Sequence, residues 1–132
     1  MTTVNLTVGS ELAPLQVEPI TRKTLALFAG ASGDHQPSHI DIDAAKAKGR
    51  DDVIAHGMLT MAYMSRLLTD NLPQSAVRTF SARFLSFTPV HARPTFRAKV
   101  MALEGALATF ELSATLDDGT VVAKGEAQVA IA

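Results

Sequence analysis

Asp34 and His39 stand five positions apart across Pro37, in the run Gly33-Asp34-His35-Gln36-Pro37-Ser38-His39. A free aspartate titrates near ~3.9 and a free histidine near ~6.5. Near neutral pH the pair supplies a carboxylate acceptor and an imidazole able to give or take a proton. Adding water across a polarised double bond, or removing it, requires that combination. A turn through the proline can aim both groups into one cleft. The plainer alternative is turn chemistry around Asp34 with a solvated histidine. Gly57 is the third candidate, at the start of an apolar run. The first turn of a helix there would present unpaired N–H groups and a partial positive charge. Without a side chain the backbone can approach a ligand closely, and an enolate-like oxygen developing on a thioester carbonyl could be held there. Such a donor contributes about 3–4 kcal/mol in other enzymes. Otherwise Gly57 merely eases a tight helix start.

Other constellations are poorer. His35 and His39 have the i, i+4 spacing of a helical metal site, but Pro37 lies between them and no Glu completes an HExxH pattern. No metal is expected. Ser38, His39 and Asp41 include the residue types of a triad, yet near neighbours in the chain rarely reach its geometry. Gly30 and Gly33 form neither a dinucleotide fingerprint nor a phosphate loop.

The chain that must position these groups has 132 residues and a mass of 14.0 kDa, which fits one domain over 1–132. Hydrophobic residues at 47% and charged residues at 19% describe an ordinary globular mixture. Twelve basic against thirteen acidic side chains give −1, which does not suggest a nucleic-acid face. The absence of cysteine excludes disulfides, thiolate metal sites and cysteine nucleophiles. No apolar run reaches the ~18 residues of a membrane span, and MTTVNLTVGS lacks signal-peptide character. A cytoplasmic location without membrane attachment is the expectation.

Residues 4–18 read as one or two weak strands broken by Gly9 and Pro14. Thr21 reads as a helix cap, with Ile20 and Leu25 at staple spacing and Leu25, Phe28 and Ala29 on one face. Gly30 and Gly33 are expected to stop that helix, and Asp43 to cap a short one closed by Gly49. Residues 56–69 form a helix apolar nearly all round, through Met58, Leu59, Met61, Tyr63, Met64, Leu67 and Leu68. Such a helix should be surrounded by protein. After Pro73 the period becomes two, through Phe80-Ala82-Phe84, Phe96-Ala98-Val100, Ala108 to Leu116 and Ala123 to Ile131. Asp117-Asp118-Gly119 and Glu104-Gly105 supply turns. Four consecutive strands with short links predict an antiparallel meander. The economical assembly is α+β: a hot-dog fold, with an antiparallel sheet wrapped around the central apolar helix. Another α+β sandwich, with the helix lying flat on the sheet, is the alternative.

The segment TRKTLALFAGASGDHQPSHID, followed by IAHGMLTMAYMS, resembles the MaoC-like hydratase family. That family includes (R)-specific enoyl-CoA hydratases and related (3R)-hydroxyacyl dehydratase subunits. The likeness runs from Val8-Gly9 to the final strand, and its specific part is residues 21–65. It implies a hot-dog fold, a catalytic Asp34–His39 pair and a Gly57 N–H facing the thioester oxygen. It also implies a link from Ser65 to the catalytic histidine or to active-site hydrogen bonding, with Gln36 and His56 as supporting or substrate-contacting residues. Gln36 stands where the family usually has Asn, and His35 and Ser38 where apolar residues are frequent. The implied reaction is reversible hydration of trans-2-enoyl thioesters to (3R)-hydroxyacyl thioesters, carried on coenzyme A or acyl carrier protein, with no cofactor.

Met58, Met61 and Met64 are candidates either for an acyl pocket or for core filling. Arg83, Arg93, Arg97 and Lys99 are candidates for coenzyme A phosphates. A homodimer is expected because a sheet edge would otherwise be exposed, with a heterodimer as the variant. Two other functions fit the same pattern: a non-catalytic acyl-thioester-binding subunit, and a hot-dog thioesterase.

Overall fold

The computed structural model describes residues 5–131; Val4, the first residue of the expected weak strands, lies outside them. The hydroxyl oxygen of Thr21 accepts from the Thr24 N–H at 3.2 Å and starts helix α1 (Arg22–Ser32). The helix continues through Gly30 and ends at Gly33, which takes the left-handed conformation at φ 78°. The expected stop at Gly30 is thus corrected: a lone glycine weakens a helix without ending it, whereas a left-handed cap ends it outright. Two short helices follow, α2 (Pro37–Ile40) and α3 (Ile42–Ala47). Asp41, not Asp43, caps α3, its carboxylate accepting from the N–H groups of Asp43 and Ala44. Helix α4 spans Gly57–Asn71.

The sheet contains β1 (Leu15–Gln16), β2 (Val77–Phe84), β3 (Thr95–Glu104), β4 (Leu107–Thr115) and β5 (Val121–Ala130), all antiparallel, in the order β1-β3-β4-β5-β2. The turns at Gly105 and Gly119 have φ 60° and 89°, as the sequence implied. The expected four-strand meander is corrected, however. Only β3, β4 and β5 follow one another, while β2 crosses to pair with β5. The cause is the connector 85–94, which is too engaged to be a hairpin turn. It hydrogen-bonds to the segment before α4 through Ala55 N–H to Thr88 O (2.8 Å) and Val90 N–H to Val53 O (3.3 Å).

The concave face of the sheet packs on α4. Phe96, Ala98, Val100, Phe110, Leu112 and Val129 meet Met64, Leu67, Leu68 and Leu72 in one buried cluster. Register alternates large with small side chains: Phe96 lies opposite Ala114, and Phe110 opposite Ala127. The sheet covers only part of the helix. Leu59, Thr60, Met64, Leu67 and Leu68 are buried, but Met58 is 57% exposed and Ala62 is also exposed. The expectation of a helix enclosed on all sides is therefore not met within one chain, because one curled sheet reaches only one side of a cylinder. A smaller cluster of Ile20, Leu25, Ala45, Val53, Ala55 and Leu59 fastens α1 and α3 against the start of α4, and Arg22 pairs with Asp52 on its rim.

Gly125 lets helix and sheet approach. A Cβ there would lie 2.3 Å from the Ser81 carbonyl oxygen and 3.0 Å from Met64 Sδ. Gly125→Ala should therefore cost about 1–3 kcal/mol of stability, the range for overpacking. Gly30→Ala, at a helical site with open space around it, should gain about 0.5–1 kcal/mol. Urea denaturation of both variants checks the pair.

Candidate active site

Pro37 begins α2, where a missing N–H costs nothing, and the short helix turns His39 back toward the segment before α4. His39 Nδ1 lies 2.8 Å from the carbonyl oxygen of Ile54. A carbonyl only accepts, so Nδ1 carries the hydrogen, and in the neutral ring Nε2 presents a lone pair. Nε2 faces Asp34 Oδ2 at 3.9 Å. Asp34 is held by local turn chemistry: its N–H donates to Ser32 Oγ at 3.1 Å, and Oδ1 accepts from the Gln36 N–H at 3.2 Å. The side chain of His39 is 11% exposed and that of Asp34 46%, so the pair sits at the boundary between protein and solvent.

His56 lies beneath this pair with no exposed surface. Its Nε2 is 3.1 Å from the backbone oxygen of Asp34. Its ring stacks on His39 with centroids 4.0 Å apart and planes inclined by 24°. Phe28 from α1 meets it edge-on at 4.9 Å. Burial pushes the His56 pKa below the ordinary histidine value and the neighbouring His39 acts in the same direction, outweighing the Asp34 carbonyl and carboxylate, which pull upward.

Helix α4 begins at Gly57, next in the chain. The His56 carbonyl accepts the Leu59 N–H at 3.1 Å, so the amides of Gly57 and Met58 belong to the unpaired first turn. A crevice of about 160 Å³ joins Gly57 to His39, with Thr60, Phe84, Thr88 and Val122 among its walls. A larger open depression of about 560 Å³, between Arg83, Met101, Glu111 and Lys124, lies on the outer face of the sheet and contains neither His nor Asp. A third, open depression of about 550 Å³ lies beside Asp51, Asp52 and His91; of the three, only the smaller crevice includes His39 and Gly57.

The structure brings Asp34, His39 and His56 together, and His39 shares the crevice with Gly57, whereas Asp34 is not among its walls. Gln36 contributes its backbone N–H, while its side chain is exposed. Ser65 is not brought to the pair: its hydroxyl donates to the Ala62 carbonyl at 2.7 Å within α4. None of the three methionines lines the crevice. Met64 fills the core beside Gly125, and Met58 points outward. Arg83, Arg93, Arg97 and Lys99 are exposed on the surface, apart from the crevice walls. Sequence reasoning missed Phe84 and Phe87 as crevice walls. The alternation places Phe84 on the buried strand face, yet it is 50% exposed, with its ring against Gly57. The ligand atoms of Asp34, His39 and His56 lie within 4.8 Å of one another, but the set suits an ion poorly. His56 Nε2 must keep its hydrogen for the Asp34 carbonyl, and lone pairs in two stacked rings run side by side instead of converging.

Residues 4–105 match the family model described as "MaoC like domain". The chain belongs to the MaoC-like family. It is 32% identical over 116 residues to the (R)-specific enoyl-CoA hydratase of Rhodospirillum rubrum, covering 85% of this chain and 80% of that one. The (R)-hydratase from A. caviae involved in PHA biosynthesis superposes with a TM-score of 0.86 at 29% identity, over 96% of this chain and 98% of that one. The unliganded R-hydratase PhaJ1 from Pseudomonas aeruginosa gives 0.86 at 27% identity, over 95% and 81%. The hot-dog fold is thereby shared, and the chemistry of the family is that of hydro-lyases.

Because the folded pKa of His56 lies below its unfolded value, the unfolded chain binds its proton first on acidification. Stability should be full above pH ~6.5 and fall progressively below it. Melting temperature measured between pH 7.5 and 5 should show this decline, and His56→Gln should flatten it.

Proposed function

We propose that the chain hydrates trans-2-enoyl thioesters to (3R)-hydroxyacyl thioesters and catalyses the reverse dehydration, with Asp34 and His39 as the catalytic pair. The supporting observation is their geometry. Asp34 Oδ2 and His39 Nε2 are 3.9 Å apart, too far for a direct hydrogen bond and within reach of one shared water. Both atoms are acceptors, since the Ile54 carbonyl keeps the His39 hydrogen on Nδ1. A water between them donates one hydrogen to each and turns its lone pairs outward. Its oxygen is then the nucleophile.

The thioester carbonyl lies against the Gly57 N–H, which draws electron density from the conjugated double bond. The water oxygen bonds to C3 as one member of the pair removes its proton. The electrons of the double bond move to the carbonyl oxygen as an enolate, held by the first-turn amide of α4. A proton delivered to C2 from the pair restores the carbonyl. Dehydration follows the same steps backward. His39 and Gly57 line the same crevice, which supports this path, with Asp34 reaching the water from beside His39.

Assays should follow enoyl absorbance and thiol release together on short enoyl-CoA substrates. Loss of absorbance without thiol is the expected result, and thiol release would identify a thioesterase instead. Asp34→Asn and His39→Ala should each lower kcat/KM by at least about 10²-fold with melting temperature nearly unchanged. Full activity in both variants would sink the assignment.

A second copy of the chain completes the reading. Met58, Phe84, Leu85 and Phe87 are each at least half exposed, and β2 has a free edge. Unpaired edges and clustered apolar side chains call for a covering surface. Sedimentation should give a dimer; a strict monomer at micromolar concentration would contradict this.

A further inference from the structure

We infer that His56 is a positioning residue, which fixes the Asp34–His39 pair by holding both of the segments that carry it. The inference rests on the hydratase reading above for its catalytic meaning. His56 is not itself placed to react. It has no exposed surface and is not among the crevice walls. It makes two different contacts with the two partners. Its Nε2–H donates to the backbone carbonyl of Asp34 at 3.1 Å, across 22 positions of chain. Its face supports the His39 ring at 4.0 Å. Phe28 meets the His56 ring edge-on at 4.9 Å.

The two contacts constrain different freedoms. Asp34 sits after the left-handed Gly33, in a segment whose other hydrogen bonds are local. The His56 bond is what ties that backbone to α4. His39 is held in its plane by the Ile54 carbonyl, but one hydrogen bond leaves the ring free to tilt about it. The stacked face of His56 limits the tilt. Together they set the spacing in which one water can serve both acceptors.

A neutral ring is part of the device. With Nε2 donating to a carbonyl, the uncharged imidazole leaves Nδ1 with a lone pair only. That Nδ1 is buried and, among the described residues, has no hydrogen-bond partner. Protonation would bury a second N–H with no acceptor, beside the ring that must receive a proton from water. The titratable groups facing His56 are Asp34 and His39, and α1 offers only the uncharged Phe28.

Two substitutions separate positioning from simple filling. His56→Phe keeps an aromatic face under His39 and removes the donor to Asp34. His56→Gln keeps an amide N–H able to reach the Asp34 carbonyl. With a short enoyl-CoA, His56→Phe should lower kcat by about 10–100-fold with KM changed by less than about threefold, as expected when a contact orients the reacting groups without binding substrate. His56→Gln, which restores the donor but not the stacked face, should recover part of that loss. Hydrogen exchange at the His39 amide, which donates to the Gln36 carbonyl, should be at least several-fold faster in His56→Phe than in wild type or His56→Gln. That readout needs no substrate, so it tests the positioning even if the wild-type chain hydrates nothing and the hydratase reading fails. Wild-type kcat and exchange in His56→Phe would overturn the inference. So would parallel losses of activity and melting temperature in both variants, which would mark His56 as a structural residue alone.

Discussion

The hydrogen bond from His39 to the carbonyl of Ile54 decides the chemistry available to the site. Because a carbonyl cannot donate, the bond fixes which nitrogen of His39 holds the hydrogen and which faces Asp34. A reversed tautomer would set an N–H against the carboxylate and leave no pair of acceptors for a water. The carbonyl is itself fixed. Ile54 N–H donates to the Ser38 carbonyl at 3.1 Å, and the adjacent Ala55 N–H donates to Thr88. His56 and Gly57 follow directly. Five consecutive residues, 53–57, thus meet the segment carrying Asp34 and His39, the β2–β3 connector and the start of α4.

This explains a costly feature of the topology. A hairpin from β2 to β3 would be shorter and more local, yet the chain spends residues 85–94 on a crossing connection. That connection runs along 53–57 through the Ile54–Pro89 bridge and the Val53–Val90 hydrogen bond. It also contributes Ser86, Phe87 and Thr88 to the crevice. Sheet order and site geometry are therefore one problem. Placing β2 at the far edge beside β5 frees the connector to reach the site.

Much of this was legible from local chemistry. Side chains that alternate along β3, β4 and β5 announce a one-sided sheet, and Thr21 and Asp117-Asp118-Gly119 announce a cap and a turn, because each signal acts within a few residues. The Asp34–His39 pair was legible for the same reason, being carried by one short loop through Pro37. What was not legible acts at long range. No periodicity distinguishes a strand that pairs with its successor from one that crosses the sheet. Asp41 and Asp43 are equivalent as cap types, and only the backbone turn after Ile40 selects Asp41. The partial burial of Phe84 and Met58 depends on how far one chain can wrap a helix, which residue type does not encode.

His56 shows the limit most clearly. In sequence it is a histidine ahead of a glycine and an apolar helix, and that context suits a cap, a ligand or a core residue alike. Its use follows from two distances, to a carbonyl 22 positions earlier and to a ring 17 positions earlier. A phenylalanine would satisfy the apolar surroundings better, since it would leave no buried Nδ1 without a partner. An unpaired buried acceptor costs about 1–3 kcal/mol, and the Nε2 bond to Asp34 offsets part of it. What the imidazole offers beyond packing is the proposed spacing of Asp34 and His39, which a phenylalanine, lacking the donor, would support through its face alone.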